Sequence, residues 1–183
     1  MGTSLFVPSA LALILWTAAA AERPLPPPLP VLTGRGFTGV VFPAAQARGE
    51  RIDQPEARDY WTPSPADVAE MESRLPSALV RQRHADDRLQ GRSTGARRDL
   101  HVFRSHHIGQ ILDHLAAYRR QYVGIVVQGE KRLFVNCFRA DPQQHASWRQ
   151  HLVDVDDGGL DYWRIQYQVD RKRFMEIDIN SDG

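Results

Sequence analysis

Residues 122–138 read YVGIVVQGEKRLFVNCF, and this stretch decides the fold. It holds two runs rich in β-branched and aromatic residues, separated by Gly129-Glu130. Two such runs around a two-residue segment that begins with glycine are typical of a β-hairpin with a type II′ turn. The sequence therefore predicts two antiparallel strands in which Gln128 lies opposite Lys131.

Both sides of this predicted hairpin are apolar. Side chains alternate along a strand, so Val123, Ile125, Phe134 and Asn136 share one side. One layer of helices covers only one side of a sheet, and a large exposed apolar patch usually marks an interaction site. We expect these four residues to bind the N-terminal lead-in, a second copy of the chain or another protein, with Asn136 offering a polar contact. The alternative is a second core beneath the loop at residues 140–149.

Helical periodicity appears before the hairpin. Val68, Met71 and Leu75 share one helical face, and Ser64 is suited to cap that helix. Pro76 is expected to end or kink it, because proline lacks the amide hydrogen that a helix interior needs. A second helix is predicted from near Ser105, where apolar residues again recur at helical spacing.

Strand patterns follow the hairpin. In residues 161–169 apolar and polar side chains alternate, with Trp163, Ile165 and Tyr167 on one face. Residues 173–179 alternate in the same way and are expected to form the neighbouring strand. Together these elements predict an α+β fold, in which amphipathic helices pack on a four- to five-stranded antiparallel meander.

The N-terminus is predicted to direct export. Residues 1–21 combine an apolar run with four alanines, which is typical of a signal peptide cleaved after Ala20 or Ala21. Residues 22–59 are rich in proline and glycine and are expected to form an extended or disordered lead-in. Residues 60–183 are expected to form a single domain. The predicted location is secreted or periplasmic, with the membrane contacted only through the signal peptide before cleavage.

Composition limits the function further. The chain carries 23 basic and 22 acidic residues, and this near balance is not the charge of a nucleic-acid-binding domain. Its single cysteine, Cys137, excludes an internal disulfide.

Two nucleophile patterns were weighed, and neither predicts a catalytic residue. Cys137 pairs in principle with His145 or His151, but its place inside a strand pattern favours core packing. Residues 91–95 match the G-x-S-x-G pattern, but the polar residues before them do not form the buried strand that a nucleophile elbow needs.

Two metal patterns are also incomplete. His101, His106, His107 and His114 cluster around one predicted helix without an acidic metal motif. Residues 178–183 match only the first half of a calcium-binding loop, without the glutamate that closes the cation's oxygen shell. No metal or other cofactor is therefore predicted.

Four short motifs suggest a relationship. They are Tyr60-Trp61-Thr62-Pro63, Arg120-Gln121-Tyr122-Val123-Gly124, Val135-Asn136-Cys137-Phe138 and Asp157-Gly158-Gly159-x-x-Tyr162-Trp163. In this pattern the chain resembles a group of small uncharacterised secreted proteins of Gram-negative bacteria. The resemblance implies export and a single α+β domain, and it carries no activity.

These observations favour a non-enzymatic, extracytoplasmic binding protein of the inhibitor, immunity or envelope accessory type. A small hydrolase that uses Cys137 with a histidine is the first alternative. A metal-binding module that uses the helix histidines is the second. The expected partner is another protein or a second copy of the chain.

Overall fold

The structure is a computed structural model that describes residues 25–52, 54, 56–139, 143–175 and 177–180. The predicted signal peptide lies outside these residues. Three helices form in the described part of the chain: α1 (Ala44–Ala47), α2 (Pro65–Gln90) and α3 (Gly95–Asp113). The strands are β1 (Val31–Gly34), β2 (Phe37–Phe42), β3 (Ala57–Trp61), β4 (Arg119–Val127), β5 (Glu130–Phe138), β6 (Tyr162–Gln168), β7 (Arg173–Phe174) and β8 (Asp178–Ile179).

These strands form one mixed sheet in the order β1-β2-β4-β5-β6-β7. β3 also pairs with β4, and β8 also pairs with β6. The β2–β4 pair is parallel, and the other pairs are antiparallel. The α+β class is confirmed, but the expectation of a purely antiparallel sheet of four or five strands is wrong. β2 runs parallel to β4 because the long connection through α2 and α3 returns the chain to the same end of the sheet.

The proline-rich segment at residues 22–59 supplies the additional strands. Within it, β1 and β2 form a hairpin, and β2 pairs with the first half of β4. β3 pairs with the second half of β4, so two segments share one strand edge. The folded part of the molecule therefore begins well before residue 60.

The β4–β5 hairpin forms with a turn that differs from the predicted one. Gln128 and Gly129 both have positive φ, at 52° and 80°, as a type I′ turn requires. Val127 therefore lies opposite Glu130, and Val126 lies opposite Lys131. The predicted register is wrong by two positions. A shift of two preserves which side chains share a side, so the predicted faces of both strands are correct.

Helix α2 begins as the sequence indicates. Ser64 accepts a hydrogen bond from the Asp67 amide, and Asp67 bonds back to the Ser64 amide in a capping box. The helix continues through Pro76 to Gln90, so the expectation that proline ends it is wrong, although a kink at that residue is not tested. Helix α3 begins at Gly95, ten residues before the predicted start.

Two apolar cores lie on opposite faces of the sheet. The larger core packs α2 and α3 against strand residues that include Tyr122, Val135, Cys137 and Trp163. The smaller core contains Val40, Phe42, Ala47, Val123, Ile125, Val127 and Phe134. In the described part of the chain, no helix has the length and apolar character needed to cross a membrane.

Candidate functional site

The four residues predicted to bind a partner lie inside the molecule. Val123, Ile125, Phe134 and Asn136 are each at most 5% exposed. Residues from the N-terminal segment cover them from one direction, and the loop that carries Trp148 covers them from another. Both the lead-in and the second core were among the expected coverings. Binding of a further partner by these residues stays a prediction, and that partner would have to displace part of the chain itself.

Asn136 makes its polar contacts within the chain. Its side-chain amide donates to the Gln121 Oε1 at 3.0 Å and to the Val153 carbonyl at 2.7 Å. Gln121 in turn donates to the carbonyls of Trp148 and His151, at 2.6 and 2.7 Å. Two buried amide side chains on neighbouring strands therefore hold the loop after β5 against the sheet.

The structure separates Cys137 from the histidines considered as its base. Cys137 is fully buried in the larger core, and burial raises the pKa of its thiol. Phe138, the next residue, points to the other side of the strand, and its ring lies 5.5 Å from that of His145. His151 lies 3.1 Å from the Glu50 carboxylate. The arrangement needed for a Cys–His hydrolase is therefore not assembled in this structure.

The helix histidines point to different partners. The Nδ1 of His101 lies 2.8 Å from the Asp86 carboxylate, whereas the Nδ1 of His107 lies 2.6 Å from the Phe103 carbonyl. Among the described residues, no three His, Cys, Asp or Glu side chains converge as a metal site would require. The last three residues of the partial calcium-loop pattern lie outside the described part of the chain.

A cleft of about 870 Å³ lies between the β1–β2 hairpin and α2. The hairpin supplies residues 32–37, including the apolar side chains of Leu32 and Phe37. Helix α2 supplies the other wall, with Pro65, Ala69, Glu72, Ser73 and Pro76. Large, mostly apolar clefts with a few polar groups are the usual form of small-molecule sites.

Two ionisable residues line this cleft, Arg35 on the hairpin and Glu72 on α2, and Glu72 is the one whose side chain is buried. Its side chain is only 7% exposed, and its Oε1 lies 2.9 Å from the Nε of Arg120, which is completely buried. The same oxygen accepts a hydrogen bond from the Tyr122 hydroxyl at 2.8 Å. Both of these contacts therefore go to the same carboxylate oxygen of Glu72.

Arg120 is itself held in place by the backbone. It donates to the Tyr118 carbonyl at 2.9 Å and to the Leu115 carbonyl at 3.0 Å. The guanidinium is planar and rigid, so these bonds hold its charge beside Glu72, although its Nε makes no hydrogen bond to the carboxylate. The Glu72 carboxylate is thus a preorganised polar group in the α2 wall of the cleft.

Burial changes the pKa values of Glu72 and Tyr122. It raises the pKa of Glu72 above the ordinary value, against the opposing effects of Arg120 and of the Tyr122 hydrogen bond. It also raises the pKa of Tyr122, which therefore stays protonated and remains a hydrogen-bond donor. A carboxyl group whose pKa is raised accepts a proton more readily than one in water.

Pro76 lies one helical turn after Glu72 on the same wall of the cleft. Because proline has no amide hydrogen, it cannot provide the bond that the Glu72 carbonyl normally receives four residues further along a helix. Both residues line the cleft.

Comparison of this chain with protein-family models, with curated proteins and with solved structures finds no match. A function for the chain therefore has to be inferred from its own geometry.

Sequence reasoning missed Glu72 and the hairpin that faces it, although two signals were present. Glu72 follows Val68 by one helical turn and adjoins Met71, so a charged residue lies at the edge of the apolar face. Arg120 lies two residues before Tyr122, so the two side chains point to the same, buried side of β4. Two opposite charges on facing buried surfaces predict an ion pair.

Proposed function

We propose that this chain is an exported, non-enzymatic binding protein that holds a small, mostly apolar ligand in the cleft between the β1–β2 hairpin and α2. The observation that carries the proposal is the buried Glu72 carboxylate at the wall of a mostly apolar cleft, whose other polar residues are Thr33, Arg35 and Ser73. Burying a carboxylate costs free energy unless partners compensate for the loss of water. Arg120 and Tyr122 compensate at one oxygen only.

The ligand that fits this arrangement carries a hydrogen-bond donor on an apolar body. The donor, an amine or a hydroxyl group, would meet the carboxylate of Glu72. The apolar body would pack against Leu32 and Phe37 on the hairpin and against Ala69 on the helix. This proposal retains the binding class expected from the sequence, but it moves the site to the other side of the sheet.

A neutral fluorescent probe tests the proposal directly. N-phenyl-1-naphthylamine carries one N–H donor between two aromatic groups, and its emission rises in apolar surroundings. We expect saturable binding of one probe per chain. Ala69→Trp should weaken that binding at least about tenfold, because an indole at this exposed position would fill the cleft.

Ala96→Trp is the matched control, because Ala96 is also an exposed helical alanine but lies far from the cleft in sequence, at the start of α3. Glu72→Leu removes the acceptor and should also weaken probe binding, while a melting curve establishes that the variant is folded. Absence of saturable binding to the unmodified protein, or equal effects of the two tryptophan variants, would show that the cleft is not a ligand site.

A further inference from the structure

The end of the α2–α3 hairpin stands apart from both cores. Between Asp86 on α2 and Ser105 on α3, which are buried, none of the residues is buried. The last turns of α2, the connection at residues 91–94 and the first turns of α3 form this segment, which we term the hairpin tip (residues 87–104). It is independent of the cleft proposed above as the ligand site.

The tip concentrates positive charge. Arg88, Arg92, Arg97 and Arg98 are all exposed, and among the described residues none of them forms an ion pair. Residues 87–104 contain five arginines and two acidic residues, Asp87 and Asp99. The whole chain has a net charge of only +1, so this is a local accumulation rather than a general property.

The tip also exposes apolar side chains beside the arginines. Leu89, Leu100 and Val102 are 43%, 52% and 45% exposed, and they are half of the six large hydrophobic residues exposed in the described part of the chain. Arg97 precedes Leu100 by three residues, and Arg98 precedes Val102 by four. Residues at these spacings are neighbours on a helix surface. Apolar and cationic groups are therefore presented side by side.

We propose that the hairpin tip docks on the surface of a bilayer that contains anionic phospholipid. Arginine binds phosphate groups through paired N–H donors, and basic residues near an anionic bilayer are attracted to it. Leucine and valine beside them enter the boundary between head groups and acyl chains. A rigid acidic protein would need a groove of matching shape to bind this narrow tip, whereas a fluid bilayer can adapt its surface to the tip. This contact is additional to any made by the predicted signal peptide.

Vesicle co-sedimentation tests the proposal. The protein is recovered after export, its N-terminus is established by intact mass, and all variants are compared in the same form. We expect binding to vesicles of equal parts phosphatidylglycerol and phosphatidylcholine, and little binding to phosphatidylcholine alone. Arg97→Glu with Arg98→Glu should weaken the binding about tenfold or more, and raised salt should weaken it as well.

Two further variants make the result specific. Arg51→Glu with Arg58→Glu changes the net charge equally at exposed arginines away from the tip, and it should leave vesicle binding nearly unchanged. Leu100→Ser with Val102→Ser keeps the charge and should weaken binding to the anionic vesicles. If the charge reversal impairs folding, Arg88→Gln with Arg92→Gln replaces it.

Three outcomes would overturn the proposal. The first is that the unmodified protein does not bind the anionic vesicles. The second is that charge reversal at Arg51 and Arg58 has the same effect as at the tip. The third is that the Leu100 and Val102 substitutions have no effect while the arginine substitutions do, because side chains that enter the bilayer must contribute to its binding.

Discussion

At the scale of single residues, the sheet carries two kinds of buried polar group with different consequences. Glu72 is a buried carboxylate that lines a mostly apolar cleft, and this is the property that suggests a ligand. The Asn136 amide uses its hydrogen bonds within the chain, as buried polar groups generally do. The sequence identified Asn136 as a polar residue on an apolar strand face, but alternation alone does not show which segment provides its partners.

Asn136→Leu should destabilise the fold. Leucine has a similar size, but it leaves the Val153 carbonyl without the donor that it now receives, while Gln121 Oε1 keeps only the Val153 amide as a donor. An unsatisfied buried acceptor costs about 1–3 kcal/mol, which urea denaturation would measure as a lower free energy of unfolding. Gln110→Leu, at an exposed position on α3, should change stability by no more than about 0.5 kcal/mol. Equal stability of the two variants would refute this role for Asn136.

Among the secondary-structure elements, those formed by residues close together in the sequence could be predicted from local sequence patterns. The start of α2 follows from Ser64, Pro65 and Asp67, and the β4–β5 hairpin follows from two neighbouring β-rich runs. The register failed because Gln128 adopts a positive φ, which is uncommon for a residue other than glycine. The strand β2 was missed because its partner β4 lies far along the chain and pairs with it in parallel.

Gly124→Ala should disrupt the docking of β3 on β4. A Cβ atom at this position would overlap the backbone oxygen of Trp61 and lie 2.7 Å from its indole ring. Overpacking of this kind costs about 1–3 kcal/mol and should also shift the fluorescence of Trp61. Both effects appear in denaturation followed by tryptophan emission.

Gly91→Ala is the control for this substitution. A Cβ atom at Gly91 meets no atom nearer than 3.8 Å, and its φ of −70° suits alanine. This variant should be neutral or more stable by up to about 1 kcal/mol. A Gly124→Ala variant as stable as the Gly91→Ala variant would show that β3 has room to move away without cost.

At the scale of the whole molecule, one sheet separates two cores, and different parts of the chain close them. Helices α2 and α3 cover one face, as the sequence indicates. The other face is covered partly by the N-terminal segment and partly by the loop that Gln121 and Asn136 hold. The composition of residues 22–59 favours an unstructured lead-in, because proline and glycine are poor strand residues on average. Tertiary pairing with β4 outweighs that preference.

A chain that begins at residue 60 should therefore fail to fold cooperatively, whereas one that begins at Glu22 should fold. The shorter chain lacks β2, whose Val40 and Phe42 are completely buried. Each such side chain contributes on the order of 1.5–3 kcal/mol, and the total stability of a domain is only about 5–15 kcal/mol. Its loss also uncovers Val123 and leaves the first half of β4 without the parallel partner that now pairs with it. Near-ultraviolet circular dichroism and urea denaturation of both chains distinguish the possibilities. A sharp unfolding transition in the chain that begins at residue 60 would mean that β4 and its neighbours form a complete domain without the N-terminal strands.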